Sequence, residues 1–192
     1  MKIAIYIGLM LMFLNCGTNK TYSEKEYQDF ERLKRIVNDK KLEVTSNFAR
    51  PMATAAFMQV ANTNILGPGN TASNIDITSN SNNFKIKGDT ISGYFPYFGE
   101  QRFGGGYPGA NHQGIEFKGI PEDYGVDIND AKHTVNIRFK IEDDHRSNER
   151  YNVFITLFPN NRSNIQISST NRTPIEFTGT MKELKEDESE LK

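Results

Sequence analysis

The stretch HTVNIRFKIEDDHRSNERYNVFITL, residues 133–157, is the most clearly patterned part of the chain and indicates how it folds. Apolar residues occupy every second position on both sides of a polar segment, first at Val135, Ile137, Phe139 and Ile141 and then at Tyr151, Val153, Ile155 and Leu157. A period of two places alternate side chains on one face of a β-strand. The polar residues 142–149 are typical of a turn, so the stretch predicts an antiparallel hairpin with one buried face.

Shorter runs of the same kind lie on both sides of this hairpin. They comprise Leu42, Val44 and Phe48 with a break at Ser46, Ile75 and Ile77, Phe84 and Ile86, residues 90–95, Ile115 and Phe117, Tyr124, Val126 and Ile128, Ile165 and Ile167, and Ile175 and Phe177. The weakly patterned residues 53–61 are also predicted as a strand. About eight to ten short strands predict a mainly β fold, either an antiparallel β-barrel, lipocalin-like in one version, or a sandwich. Helices do not alternate with the strands, which argues against a doubly wound α/β fold.

One helix is predicted, and it precedes the strands. Ser23 and Glu26 have the spacing of a capping box, in which each side chain accepts a hydrogen bond from the other residue's free backbone N–H. Apolar residues then follow at steps of three and four, at Tyr27, Phe30, Leu33, Ile36 and Val37. This stripe predicts an amphipathic helix that packs against a sheet. The alternatives are a partner-binding helix or one that lies on a membrane, although its polar face carries both charge signs.

The first residues have the features of an export signal. Lys2 precedes a run of twelve mainly apolar residues, 3–14, which is shorter than the about 20 residues that span a bilayer. The run ends next to Cys16, the sole cysteine. Residues 1–15 are therefore predicted to be a lipoprotein signal peptide, whose removal leaves Cys16 to carry a lipid. Asn15 stands where a small residue is usual, and an ordinary secretory signal is the alternative.

The rest of the chain divides into a tether, one domain and a tail. Residues 16–22 are a polar tether, residues 23–181 a single β-rich domain, and residues 182–192 a charged flexible tail. A single cysteine excludes an intrachain disulfide. The 192 residues carry a net charge of -1 with a pI near 6.3 and a mean hydropathy of -0.60. Such a balanced charge argues against nucleic acid as a partner.

Aromatic residues and glycines are concentrated in DTISGYFPYFGEQRFGGGYPGANHQGIEFKG, residues 89–119. Exposed rings and hydroxyls of this kind can bind a sugar or an apolar ligand, and the glycines could form a mobile lid. The candidate ligand-binding residues are Tyr94, Tyr97, Phe98, Phe103 and Tyr107. The alternative interpretation is that most of these rings pack into the core and cover one end of a barrel.

Motifs for common catalytic chemistry are incomplete. Residues 104–109 match GxGxxG, but a proline and a strand-like sequence stand where a dinucleotide site needs a helix. The sequence has no GxSxG motif, and lipidation of Cys16 would leave no thiol nucleophile. His112 with Glu116, and separately the run 143–145, make poor metal-ligand sets. We therefore expect no catalytic residue, no metal and no cofactor.

Three segments together resemble a known family. They are GDTISGYFPYFG at residues 88–99, GIEFKG at 114–119 and SSTNRTPIEFTGT at 168–180, in a chain with an export signal and a short helix. The combination is similar to the Bacteroidetes domain-of-unknown-function family 4251 over nearly all of the mature chain. The resemblance implies a small, mainly β, exported or lipid-anchored protein and transfers no catalytic residue. Residues 17–20 lack the acidic residues that favour surface display in lipoproteins of that phylum, which favours the periplasmic face of a membrane.

These features together predict a bacterial cell-envelope lipoprotein that is not an enzyme. Its domain is expected to bind an apolar or glycan ligand near residues 94–107. The alternatives are a structural or protein-partner module of the envelope and, less favoured, a hydrolase. The expected partners are a small molecule or an envelope protein, together with the membrane through the lipid on Cys16.

Overall fold

The computed structural model describes residues 22–63, 65–101 and 114–184. Within these ranges lie two helices, α1 (Glu24–Asn38) and α2 (Ala55–Ala61), and ten strands. The strands are β1 (Lys41–Pro51), β2 (Ile75–Asp76), β3 (Asn83–Lys87), β4 (Thr90–Phe95), β5 (Ile115–Gly119), β6 (Glu122–Asn129), β7 (Thr134–Glu142), β8 (Arg150–Leu157), β9 (Arg162–Ser169) and β10 (Ile175–Glu183). Among the described residues, neither helix is long and apolar enough to cross a membrane.

The described strands form one sheet in the order β5-β4-β3-β1-β10-β9-β8-β7-β6, with β2 paired to β1. Every pairing is antiparallel, and the sheet curls into a half-barrel. The mainly β, antiparallel fold with one N-terminal amphipathic helix is therefore confirmed. Between the barrel and the sandwich, the single curled sheet corresponds to the barrel.

The hairpin in residues 133–157 is confirmed as β7 and β8. Val135 lies opposite Leu157 and Ile137 opposite Ile155, and all four side chains are fully buried. The side chains between them point to the outer face of the sheet, so the period of two separates core from solvent as the sequence predicts.

β1 contains an irregularity that turns Phe48 away from the core. The pairing of β1 with β10 shifts register between Ser46 and Phe48, which makes Asn47 an extra residue, as in a β-bulge. The Asn82 side chain supplies hydrogen-bond partners for the backbone at the bulge. Its Oδ1 accepts from the N–H of Ser46 at 2.7 Å, and its Nδ2 donates to the Ser46 carbonyl at 3.0 Å. The break expected at Ser46 is confirmed. The expectation that Phe48 shares the buried face of the preceding apolar residues is wrong, since it is 37% exposed.

The expected strand at residues 53–61 is instead the short helix α2. Thr54 begins it, since its side chain accepts a hydrogen bond from the N–H of Phe57 at 3.2 Å and so satisfies a free helix-terminal donor. Its side chain also hydrogen-bonds to Glu100. Phe57 is the buried residue of this seven-residue helix. Because one buried position does not make a repeat, the pattern of the sequence did not indicate a helix.

The interior of the half-barrel is filled by side chains in the part of the chain that the structure describes. Phe95 stacks on Phe177 with the ring centroids 4.6 Å apart, and the rings of Phe117 and Tyr151 are 6.0 Å apart. Each of these residues is at most 1% exposed. These aromatic side chains therefore form part of the packed core of the described domain.

Helix α1 closes one end of the half-barrel, which we call the helix end. Its capping box is present, and its buried residues are Phe30, Leu33, Ile36 and Val37, so the predicted amphipathic helix is confirmed. Tyr27 belongs to the expected apolar stripe but is 53% exposed. Two strand turns hold the helix: Arg32 donates to Asn161 Oδ1 at 2.7 Å, and Lys34 lies 3.8 Å from Asp130.

The start of the described chain is fastened at the same end. The His133 ring lies between Tyr22, at 3.6 Å between centroids, and Phe30, at 4.7 Å. The Tyr22 hydroxyl also donates to the carbonyl of Ala131 at 3.2 Å. The β4–β5, β7–β8 and β9–β10 connections lie at the opposite end, because neighbouring strands run in opposite directions. We call that opposite end the loop end.

Two strands, β6 and β10, differ slightly from what the sequence pattern predicts. Val126 and Ile128 of β6 alternate as expected but are 43% and 47% exposed, because β6 is an edge strand. β10 continues to Glu183, so it includes the first two residues of the stretch 182–192 that the sequence assigns to a tail.

Candidate functional site

A buried ion pair lies at the loop end. Glu149 precedes β8 and Arg172 lies between β9 and β10, and their side chains are 1% and 3% exposed. Arg172 Nε lies 3.0 Å from one carboxylate oxygen and 3.3 Å from the other. Arg146 Nη1 lies 3.2 Å from the same carboxylate, and the Ser169 hydroxyl donates to it at 3.0 Å. These contacts supply the opposite charge and hydrogen bonds that a buried carboxylate requires.

Arg172 also connects the two ends of the β4–β5 connection. Its Nη1 donates to the Gly114 carbonyl at 2.8 Å, and its backbone forms a bridge with Gln101. These two partners flank residues 102–113. The guanidinium lies over the ring of Tyr97, with Cζ 4.9 Å from the centroid, in a cation–π contact. Arg172 thus contacts both residues that flank this segment, Gln101 through its backbone and Gly114 through its side chain.

Tyr97 and Phe98, two of the predicted ligand-binding residues, are engaged within the protein. The Tyr97 hydroxyl lies 2.9 Å from the Glu100 carbonyl, 3.1 Å from the Thr173 carbonyl and 2.9 Å from the Thr173 hydroxyl. Burial raises the pKa of Tyr97, in opposition to its hydrogen bonds with Thr173. Phe98 is half-buried and packs against the core. Their positions agree with the alternative that the aromatic rings cover a barrel end.

Tyr94 differs from these two because it points outward from β4 and is 43% exposed. Its position in the sheet is directly opposite Glu116 of β5. The other candidates, Phe103 and Tyr107, and the lipidation residue Cys16 lie outside the described residues. Of the predicted ligand-binding residues that the structure describes, Tyr94 is therefore the most exposed to solvent.

A second buried pair shapes the β7–β8 connection. The Tyr151 hydroxyl donates to Asp143 Oδ2 at 2.5 Å, and Asp143 Oδ1 accepts from the backbone N–H of His145 at 2.9 Å. Burial raises the pKa of the Tyr151 hydroxyl strongly, and its hydrogen bond to Asp143 acts in the same direction. Asp143 thus links the core to the segment that carries Asp144 and His145.

Three ionisable side chains meet at the rim of the loop end. His145 Nε2 lies 2.9 Å from Glu116 Oε2, and the backbone N–H of Asp144 donates to the Glu116 carbonyl at 2.9 Å. One potential ligand atom from each of these residues lies within 4.8 Å of the others. Sequence spacing could not reveal this cluster, because it pairs Glu116 with a histidine 29 residues away. His112, considered with Glu116 from the sequence, lies outside the described residues.

Two surface recesses lie away from the loop end. One, of about 170 Å³, is lined at the helix end by residues that include Lys40, Asp89 and Tyr124. The other, of about 430 Å³, lies on the outer face of β7–β9 around Phe154 and Gln166. Neither is lined by the predicted ligand-binding residues.

Arg172, Tyr97 and Gly114 come from the three separate segments on which the family resemblance rests. The model of the family described as "Domain of unknown function (DUF4251)" matches residues 24–181. The chain belongs to this family. The match confirms the resemblance seen in the sequence. It covers both helices and the curled sheet as far as Met181, two residues before the end of β10.

A solved DUF4251 structure shares the fold. The crystal structure of a DUF4251 family protein from Bacteroides eggerthii DSM 20697 is similar with a TM-score of 0.52 and 14% sequence identity. The match covers 82% of this chain and 89% of that chain. At this identity the similarity concerns the fold alone. No curated protein matches the chain.

Proposed function

We propose that this DUF4251 protein is a lipid-anchored, non-enzymatic binding domain of the bacterial cell envelope, and that it engages an envelope protein through its loop end. The observation that carries the proposal is the division of the domain into two ends. The helix end holds the N-terminal attachment at Tyr22, and the loop end holds the exposed Tyr94 beside Glu116 and His145.

The anchoring geometry supports this orientation. Tyr22 lies six positions after Cys16, and an extended chain over six residue steps reaches about 20 Å. A lipid on Cys16 would hold the helix end within that distance of the membrane. The loop end would then point away from the membrane, where an envelope partner can reach it. We place the anchored domain on the periplasmic face, as the sequence after Cys16 favours.

The filled core supports docking on the surface instead of binding in a cavity. The rings of Phe95, Phe117 and Tyr151 occupy the described interior. This favours the protein-partner module over a domain that encloses a ligand in its core. A glycan is the second candidate, because the exposed Tyr94 ring lies next to the hydrogen-bonding groups of Glu116. An aromatic face beside polar groups can stack on and orient a sugar.

A non-enzymatic role agrees with how the buried charges are used. Glu149 is enclosed by Arg172, Arg146 and Ser169, and Asp143 accepts from Tyr151 and from a backbone N–H. Groups committed to such contacts stabilise the loop end. A hydrolase would instead need a carboxylate or imidazole free to move a proton in a cleft.

The test compares two exposed tyrosines at opposite ends of the domain. The full-length chain, its Tyr94→Ala variant and its Tyr27→Ala variant are each affinity-purified from their own envelope after brief crosslinking. We expect one envelope protein to co-purify with the native chain and with Tyr27→Ala, and to be reduced severalfold with Tyr94→Ala. Equal recovery with all three chains would count against the loop end as the binding surface. A glycan array read with the same three chains tests the second candidate.

Anchoring is tested separately. Membrane fractionation and metabolic labelling with a radioactive fatty acid should show the native chain labelled and membrane-bound, and Cys16→Ser unlabelled and released. An unlabelled native chain would support the ordinary secretory signal instead.

A further inference from the structure

We propose that Glu116, Asp144 and His145 form a binding site for a divalent transition-metal ion, for which Zn²⁺ is the reference ion. The site combines one imidazole nitrogen with two carboxylate oxygens. This mixed nitrogen and oxygen set is one that Zn²⁺ accepts in proteins. Metal binding here requires neither the lipid anchor nor an envelope partner.

The distances already approach those of a metal site. Ligand atoms of the three residues lie within 4.8 Å of one another, and His145 Nε2 is 2.9 Å from Glu116 Oε2. Two ligands of a tetrahedral zinc ion are about 3.3 Å apart, given metal–ligand bonds of about 2.0–2.2 Å. No separation therefore has to shorten by more than roughly 1.5 Å, which rotation of exposed side chains can supply.

The backbone positions of the three residues are fixed before any ion binds. The hydrogen bond from the Asp144 N–H to the Glu116 carbonyl, at 2.9 Å, joins β5 to the β7–β8 connection. The backbone of His145 is held by Asp143, which is in turn held by the buried Tyr151. Little conformational entropy remains to be lost in the main chain when the side chains converge on a metal, which favours binding.

Charge and exposure also favour a cation. Glu116 and Asp144 bring two carboxylates close together, and a divalent ion between them would relieve their mutual repulsion. The side chains of His145 and Glu116 are 33% and 37% exposed, so an ion can enter from solvent. Three protein ligands leave the fourth position of a tetrahedral ion open to water or to a ligand, as in zinc sites that act on or bind a further molecule. Tyr94 lies directly opposite Glu116 in the paired strands β4 and β5.

The experiment titrates Zn²⁺ into the full-length chain in mild detergent and follows the heat by isothermal titration calorimetry. The same titration is made with Glu116→Gln, Asp144→Asn and His145→Gln. Asp130→Asn is the control, because Asp130 is an exposed carboxylate at the helix end. Co²⁺ absorption in the visible range reports the geometry at the bound ion.

We expect one ion per chain and a loss of affinity in each site variant that exceeds the about tenfold typical of removing an outer-shell partner. Asp130→Asn should bind as the native chain does, and the Co²⁺ spectrum should show the intense bands of a four-coordinate ion. Absence of stoichiometric binding would overturn the proposal and leave His145 and Glu116 as a hydrogen-bonded pair. Binding that all three site variants retain would also overturn it, by placing the ion elsewhere. Thermal unfolding of each variant without metal shows that it is folded.

Discussion

Replacing Arg172 with methionine tests whether the loop end depends on one buried ion pair. Met keeps much of the apolar stem of Arg172 but removes the charge that faces Glu149. It also removes the donor to the Gly114 carbonyl and the cation above the Tyr97 ring. Of the polar partners described above, the Glu149 carboxylate, 1% exposed, then keeps Arg146 and the Ser169 hydroxyl.

The magnitude follows from this burial. Removing one partner of a buried pair costs about 3–5 kcal/mol. The same order is expected here, because Glu149 loses its buried cation and keeps only the compensation from Arg146, whose side chain is 17% exposed, and from a serine hydroxyl. For a domain of this size each kcal/mol lowers the midpoint of thermal unfolding by about 2–4 °C, so Arg172→Met should lower it by roughly 6–20 °C. The free energy of unfolding is measured by urea titration followed by circular dichroism, and the midpoint by heating.

Arg150 supplies a matched control. It also contacts two carboxylates, Glu122 at 3.0 Å and Glu142 at 2.6 Å, but its side chain is 48% exposed. Surface pairs contribute at most about 1 kcal/mol, so Arg150→Met should have little effect. The double variant Glu149→Gln with Arg172→Met should recover part of the loss, because the buried carboxylate is then removed together with Arg172 and the cation that loses its carboxylate, Arg146, is the more exposed one at 17%. Equal effects of the two arginine substitutions, or no recovery in the double variant, would refute the reasoning.

Two further predictions concern the core and its titration. A Cβ on Gly93 would lie 2.3 Å from Phe117 Cζ, so Gly93→Ala should lower the free energy of unfolding, measured by urea titration, by about 1–3 kcal/mol. Gly119→Ala is the control: a Cβ there meets nothing within 4 Å, so the free energy of unfolding should not fall in this way. Equal values for the two would contradict the close contact. The raised pKa of Tyr151 means that the folded state keeps the hydroxyl proton above pH 10.0, the ordinary pKa of tyrosine, where the unfolded state loses it. Stability should therefore be fully present below pH 10 and fall as the pH rises further, with a shallower fall in Tyr151→Phe. Urea titrations from pH 8 to 11 measure this, and identical slopes would contradict it.

Where local pattern and tertiary packing agree, the sequence predicted the structure well. Val135 to Ile141 and Tyr151 to Leu157 alternate because one face of each strand is buried, and the fold keeps that face inward. The capping box at Ser23 is likewise a local interaction, so its residues could be recognised from their spacing. The break at Ser46 was visible as an interruption of the alternation, but the direction of Phe48 depends on the bulge that the break produces.

The site was less predictable because its contacts join distant parts of the chain. Helix α2 was not predicted, because Phe57 is its buried residue and a single buried position does not produce the three- and four-residue spacing of an amphipathic helix. Arg172 gave no signal at all, because an arginine in a polar turn usually lies in solvent. It is buried against Glu149, 23 residues earlier, and this contact joins the residue before β8 to a residue after β9, so no local spacing in the sequence reveals it.

The position of Arg172 suggests why the three segments of the resemblance occur together. SGYFPYFG contributes Tyr97, GIEFKG contributes Gly114, and SSTNRTPIEFTGT contributes Arg172 itself, and the three meet at the loop end. A change in any one segment would disturb the placement of the other two, since they share one guanidinium. Arg172 also contacts Gln101 and Gly114, the two residues that flank the 102–113 connection. Gly114 lies two residues before Glu116, one of the proposed metal ligands. The buried charges therefore act as the support for the exposed rim, and Arg172→Met should weaken Zn²⁺ binding at that rim even though Arg172 is not one of the proposed ligands.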